Sequence, residues 1–220
     1  MTDTVIFGGT TRVAVIGSGL RRAGCSFLIG ALPSAQLAAK FVSGIDLRAV
    51  HPESVSATGA YRAAGLAPFV IVSTLDVAKG YVATRLAGPG QRSLALHAAL
   101  VVAGHNWSPF LQGAGGRGIT PTIGVLLGSD WRGAVLILGG PAFGYLCRET
   151  GLGAFASQLL LLSAALLSRE RRAALPSTVA VLVPMWAKRI LGNELEVHAD
   201  LPLARYVERL VYDRDSAGPG

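Results

Sequence analysis

Apolar runs recur along the chain at 23–42, 63–87, 93–111, 119–129, 131–147, 151–168 and 175–191, each separated by a short polar segment. A helix needs about 20 residues to cross the hydrocarbon core of a bilayer. The runs at 63–87, 93–111 and 151–168 reach or approach that length, whereas 119–129 is too short to cross alone. It reads as a tilted partial helix or a re-entrant piece. The pattern predicts an all-α, polytopic membrane bundle of about seven transmembrane helices, some of them short. Pro33 is expected to kink the first. The bundle occupies 24–192, after an N-terminal extension over 1–23 and before a polar tail over 193–220. Within that tail, 201–212 carries apolar residues at helical spacing with arginines opposite, the pattern of a helix lying on the membrane surface. The last eight residues read as disordered.

Composition agrees with this class. Of 220 residues, 51% are hydrophobic and only 15% charged, against about 25% charged in an ordinary soluble domain. Mean hydropathy is +0.48. The net charge of +7 calls for an anionic partner. The bases are scattered through the connecting segments and no aromatics interleave with them, which excludes a nucleic-acid surface and favours lipid head groups or a phosphorylated substrate. They fall evenly on the two sides of the bundle, so the positive-inside rule fixes no orientation. Cys25 and Cys147 lie in apolar runs without metal-ligand spacing, and are expected to be buried free thiols.

Two N-terminal patterns mislead. VAVIGSGLRRAG at 13–24 imitates a dinucleotide fingerprint, but Arg22 stands where the third glycine belongs and no strand–helix–strand unit follows. Arg21 and Arg22 before an apolar run resemble the start of a signal peptide. The further spans make it a retained first helix.

Three clusters could carry chemistry. The first, GHNWSPFLQGAGGRG at 104–118, places five glycines and Arg117 between two apolar runs. Gly113, Gly115, Gly116 and Gly118 permit positive φ and close approach. Successive amides there can form an anion nest at the start of a helix, and Arg117 offers a fork of donors to phosphate. An interfacial loop with Arg117 snorkelling explains the same residues. His105 is open to reading as a general base, a ligand or a capped polar residue. It lacks the aspartate four residues on that soluble-headed acyltransferases use. The second cluster, at 43–65, holds Asp46, Arg48, His51, Glu53, Ser54, Ser56, Thr58 and Arg62. It is an ordinary connector or, given the alternation of Ile45 and Leu47 with Asp46 and Arg48, an ordered interfacial segment. The third is LDVAKGYV, with Asp76 and Lys79 inside an apolar run. A charge at a helix centre costs about 2.5–3.5 kcal/mol. Three residues apart, the two share a face and offset each other, either as a structural ion pair or as the wall of a polar cleft.

Taken together, the stretches LIGALPSAQLAAKFVSGIDLRAV, SATGAYRAAGL, LDVAKGY and GHNWSPFLQGAGGRGITPTIGVLL resemble, in order and spacing, the bacterial integral-membrane acyl-phosphate:glycerol-3-phosphate acyltransferases of the PlsY type. The likeness runs from about residue 27 to 192. It implies a seven-helix bundle in the bacterial plasma membrane, with the N-terminus outside and the C-terminus and active face cytoplasmic. It implies acyl transfer from acyl-phosphate to glycerol 3-phosphate, giving lysophosphatidic acid, with no metal or nucleotide cofactor. Arg62, His105 and Ser54 become candidate catalytic residues. Arg48, Thr58, Gly115, Gly116, Arg117 and Gly118 become phosphate-binding candidates, and Asp46, Asp76 and Lys79 structural polar residues.

The chain departs from the family pattern at several of these positions. Where the family has Gly-Ser-Gly-Asn it has His51, Pro52, Glu53 and Ser54, so Pro52 replaces a functional serine and Ser54, with Glu53 and Ser56, is left to compensate. The following Gly-Ala-Thr-Asn reads Ser56, Ala57, Thr58 and Gly59, which loses the asparagine, while Arg62 keeps the family's arginine. In Lys-Gly-Gly-Lys-Gly the first lysine is Ala114 and the second Arg117. A third serine expected near 150–153 is absent, and a histidine and asparagine usual near the last helix fall near Leu182 and Met185. Proline and alanine supply no such donors, and losing donors costs orders of magnitude where catalysis is charge stabilisation. Three functions remain open: an acyltransferase with a remodelled site, a paralogue that binds a lipid precursor without this catalysis, and a small transport module.

Overall fold

The computed structural model describes residues 7–50, 55–193 and 202–213, with side chains from Ser18 onward, and the regular structure there is all helical. The helices are α1 (Phe7–Ala31), α2 (Ser34–Ser43), α3 (Leu47–Val50), α4 (Ala57–Ala64), α5 (Leu66–Ala87), α6 (Gln91–Asn106), α7 (Ile119–Ser129), α8 (Trp131–Leu146), α9 (Thr150–Leu167), α10 (Leu175–Leu191) and α11 (Leu203–Tyr212). Among the described residues, four segments are long and apolar enough to cross a membrane: Ser18–Ser43, Leu66–Ala87, Thr150–Leu167 and Arg172–Leu191. The other long helices fall short of a full crossing: α6 and α8 have 16 residues each and α7 has 11.

The first crossing is broken rather than kinked. Proline lacks an amide and pushes the residue before it out of helical conformation, so α1 stops at Ala31 and α2 restarts at Ser34. Helix α1 runs unbroken from Phe7, because nothing between Gly8 and Gly30 is a proline or a polar turn. Gly44, at φ +68, ends α2 by donating back to the Ala39 and Lys40 carbonyls.

Small residues set the packing, as they do where helices gain little from the hydrophobic effect. A Cβ on Gly80 would strike the Pro121 carbonyl, and one on Gly124 the Val77 carbonyl. Helices α5 and α7 therefore lie side by side and parallel, backbone against backbone. Since α7 begins beside the middle of α5, it fills only half the bundle's depth. The other half is left to the segment 105–118 and to α2, α3 and α4. There Ala35, Ala39, Leu47, Val55, Ala57, Ala60, Val72 and Leu111 make one apolar core, with Ala114 packed on it.

Both thiols depart from expectation. Cys25 and Cys147 are exposed. An apolar run says only that a residue avoids water, and in a thin bundle half of such positions face lipid.

Candidate active site at the half-depth loop

Breaking a helix inside a membrane strands its last carbonyls, and an unsatisfied backbone group there costs several kcal/mol. Two side chains answer this. Ser108 Oγ donates to the Ala31 carbonyl at 2.6 Å, and Lys79 Nζ to the Leu32 carbonyl at 2.6 Å. Lys79 uses its other donors on Ser34 Oγ at 2.9 Å and Asp76 Oδ1 at 2.7 Å. Ser34 Oγ in turn donates to Asp76 Oδ1 at 2.6 Å. The pair foreseen at 76 and 79 thus forms, and its position has a cause: it closes the break at Pro33. All three ammonium donors are spent on protein groups. His105 stands beside this knot, its Nδ1 3.8 Å from Asp76 Oδ1, too far for a hydrogen bond. Asp76, Lys79 and His105 are all buried, while Asp76 Oδ2 accepts no hydrogen bond.

The glycine segment wraps this knot. Gly116 lies against the His105 ring, where a Cβ would meet Nε2, and Gly115 against the carbonyls of His105 and Asn106. Gly118, at φ +78, starts α7. The amides run contrary to the expected nest. Gly113 donates to the Ser108 carbonyl, Ala114 to that of Leu111, Gly115 to Asn193 Oδ1 and Gly116 to the His105 carbonyl. Four successive donors are committed inside the protein, which makes the loop a rigid scaffold and leaves no concave cradle of free N–H groups at 113–116.

Arg117 also differs from its reading as a free fork. It donates to the Lys188 carbonyl at 3.0 Å and pairs with Asp213, Nε to Oδ1 at 2.8 Å. Its side chain is 10% exposed, and it lines neither cavity described below.

The segment 43–50 is ordered, as its alternation implied, and Gln36 is the reason. Its Oε1 accepts from the Leu47 amide at 3.0 Å, and its Nε2 donates to Asp46 Oδ1, also at 3.0 Å. Asp46 Oδ1 accepts in addition from the Arg48 amide and so caps α3. Arg48 Nη2 then reaches across to Gln112 Oε1 at 2.7 Å. Between these elements opens a cleft of about 330 Å³ lined by Asp46, Arg48, Ala49, Val55, Leu111, Gln112, Ala114 and Asn193. Val55 and Leu111 separate it from a smaller pocket that touches Ser34, His105, Ser108 and Gly115. Among the candidates, Arg48 and Asp46 line the cleft itself, and His105 and Gly115 stand behind its wall. Thr58 and Arg62 lie exposed on α4 and outside both cavities. His51, Pro52, Glu53 and Ser54 fall outside the described residues. Among the described residues, no group of three or more His, Cys, Asp or Glu is placed to hold a metal.

Several partners escaped the sequence reading. Asn193 grips Gly115 at both backbone atoms, accepting from its amide at 3.1 Å and donating to its carbonyl at 3.0 Å. Lys188 is fully buried, donates to the Gly113 carbonyl at 3.3 Å and sits 5.3 Å from the centre of the Trp107 ring. The adjacent cations Lys188 and Arg189 inside an apolar run were the signal for this. Nothing local marked Asn193.

A broken first helix, a half-length seventh and a polar loop between them define a polytopic helical membrane protein with a cleft sunk from one face. Residues 23–191 match the glycerol-3-phosphate acyltransferase family, and the chain belongs to it. A relative from Prochlorococcus marinus, named glycerol-3-phosphate acyltransferase, is 36% identical over 63% of this chain and 60% of its own length. Glycerol-3-phosphate acyltransferase 2 of Moorella thermoacetica is 38% identical over 46% of this chain and 54% of its own. The chain thus aligns with roughly half to three-fifths of these relatives. The same fold occurs in PlsY, an integral membrane glycerol 3-phosphate acyltransferase solved in its glycerol 3-phosphate form. The TM-score is 0.70 and the identity 22%, over 78% of this chain and 88% of that one.

Proposed function

We propose that the chain transfers an acyl group from acyl-phosphate to glycerol 3-phosphate, forming lysophosphatidic acid and releasing phosphate. The observation that carries this reading is Arg48, whose guanidinium is held by Gln112 at the rim of the 330 Å³ cleft of a family fold. A fork of donors there suits the phosphate of glycerol 3-phosphate. The acceptor hydroxyl oxygen attacks the acyl carbonyl carbon, the carbon–oxygen bond to the leaving phosphate breaks, and the hydroxyl proton leaves with the phosphate. An acyl-phosphate is already activated, so holding the two substrates together supplies much of the rate. In this reading Arg117 fixes the loop, and Thr58 and Arg62 stand exposed on α4 outside the cleft lining. The face bearing the cleft is the cytoplasmic one, where a water-soluble phosphoester is met.

The test is purified protein in detergent with a long-chain acyl-phosphate and radiolabelled glycerol 3-phosphate. Labelled lysophosphatidic acid is expected. Its absence at high enzyme load sinks the proposal and favours a lipid-precursor-binding paralogue. Arg48→Ala is expected to raise KM for glycerol 3-phosphate about 10- to 100-fold, as loss of a charged phosphate contact does, with a smaller change in kcat.

A further inference from the structure

The helix α11 lies beyond the stretch 23–191 that matches the family. It is nonetheless tied to the loop that defines the site. Arg189, buried on α10, donates Nη1 to the carbonyls of Leu210 at 2.8 Å and Gly151 at 3.2 Å. That contact covers an orphan carbonyl at the last turn of α11. Gly151 allows the approach, because a Cβ there would strike the Tyr212 carbonyl. Arg209 Nη1 reaches the Ile190 carbonyl at 3.4 Å. The helix then ends in Asp213, in the left-handed conformation at φ +56, with its amide on the Arg209 carbonyl. This geometry sends the carboxylate to Arg117, at 2.8 Å. The contact is one of charge, since no hydrogen bond ends on Asp213 Oδ1.

We infer that Asp213 is a positioning residue, and that α11 is a strap holding Arg117 and through it the glycine segment 113–118. Arg117 stands between Gly116, seated under His105, and Gly118, the start of α7. The loop is therefore gripped from the C-terminal side at Gly113 and Arg117 by Lys188, at Gly115 by Asn193, and again at Arg117 by Asp213. Ala114 lines the cleft one residue before the Asn193 grip. Releasing the Asp213 contact removes the one grip that α11 supplies and loosens the loop that carries Ala114 in the cleft wall. The catalytic consequence rests on the proposed acyl transfer, but the mechanical one does not.

Asp213→Asn is the variant of choice. Asparagine tolerates the left-handed conformation as aspartate does, so only the charge is removed. In a chain carrying Cys25→Ala, Cys147→Ala and Ala114→Cys, the rate of labelling by a water-soluble maleimide reports loop opening. Asp213→Asn is expected to raise that rate more than about threefold, the lower range for coupling within a contacting pair. A smaller rise overturns the strap. With Arg117→Ala already present, the substitution is expected to add nothing, and an additive increase also overturns it, since general loosening would act in either background. In the otherwise unaltered chain, kcat for acyl transfer is expected to fall about tenfold while KM for glycerol 3-phosphate moves less than about twofold. An unchanged kcat overturns the positioning role. If the parent shows no acyl transfer, the proposed function fails and the labelling experiment still decides the strap.

Discussion

Two carboxylate–cation pairs show how depth changes the meaning of one chemistry. Asp76 and Lys79 meet at 2.7 Å with side chains 0% and 7% exposed, midway along α5 and about 15 Å from either end at 1.5 Å per residue. Asp130 and Arg171 meet at the opposite end of α7 from the glycine loop, also at 2.7 Å, each 16% exposed. The separations are equal, but the surroundings differ. The outer pair ties the α7–α8 corner to the segment after α9, where water and head groups share the work of solvation. The deep pair has no such help and is justified by what else it holds, the Leu32 carbonyl left by the break at Pro33. A membrane charge is read best by asking which backbone group it rescues.

The sharpest test of that contrast removes the deep cation. Lys79→Met strands a buried carboxylate and leaves the Leu32 carbonyl without this donor, so it is expected to cost about 3–5 kcal/mol of stability, as breaking a buried pair does. Adding Asp76→Leu removes the stranded charge. The double variant is expected to recover part of the loss, leaving about 1–3 kcal/mol for the unmet carbonyl. Thermal or denaturant unfolding in detergent measures both. A double variant no better than Lys79→Met alone breaks the comparison, because the cost would then lie in packing and not in charge.

How far these features were legible beforehand follows from the same physics. The seven apolar runs, the short one at 119–129 among them, were readable because burial from water is written in hydropathy, and a charge inside such a run is rare enough to notice. The glycine cluster announced close approach, and close approach is what Gly115 and Gly116 provide. Direction was not written there. Hydropathy cannot separate core from lipid, so Cys25 and Cys147 were misplaced. Glycines cannot say who receives the amides, and the nest expected at 113–116 became a self-bonded scaffold. Pairings across 78 residues, such as Gly115 with Asn193, left no local mark. Asp213, first of the residues read as disordered, instead ends α11 and holds Arg117. Among the site candidates, Arg48 reaches the cleft because Gln36 and Asp46 cap α3 beneath it, a support no spacing rule contains.

The outer pair yields a smaller expectation. Asp130→Asn keeps the size of the side chain and the backbone link from the Ala134 amide to its carbonyl, but removes the charge facing Arg171. The expected loss is about 0.5–1 kcal/mol, in the range of accessible pairs. A loss near that of Lys79→Met would show that the corner is as dry as the half-depth knot.

Arg132 gives the smallest effect and sets the baseline for the others. It lies beside Asp130 in sequence and at the same end of the bundle, 3.8 Å from Glu170, with the two side chains 64% and 84% exposed. At that exposure solvent screens the attraction, and ordering two long side chains offsets most of what remains. Its guanidinium also lies 5.8 Å from the centre of the Trp131 ring. Trp131 is itself 63% exposed, which places the contact where aromatic side chains anchor a helix at the head groups. Arg132→Ala is therefore expected to change unfolding stability in detergent by less than about 0.5 kcal/mol, as surface substitutions away from buried networks do. In a bilayer rich in anionic lipid the same variant loses a head-group contact that the micelle never offered. A stability change several times larger there than in detergent would locate this end at a charged lipid surface, and equal small changes in both would leave Arg132 a solvated side chain.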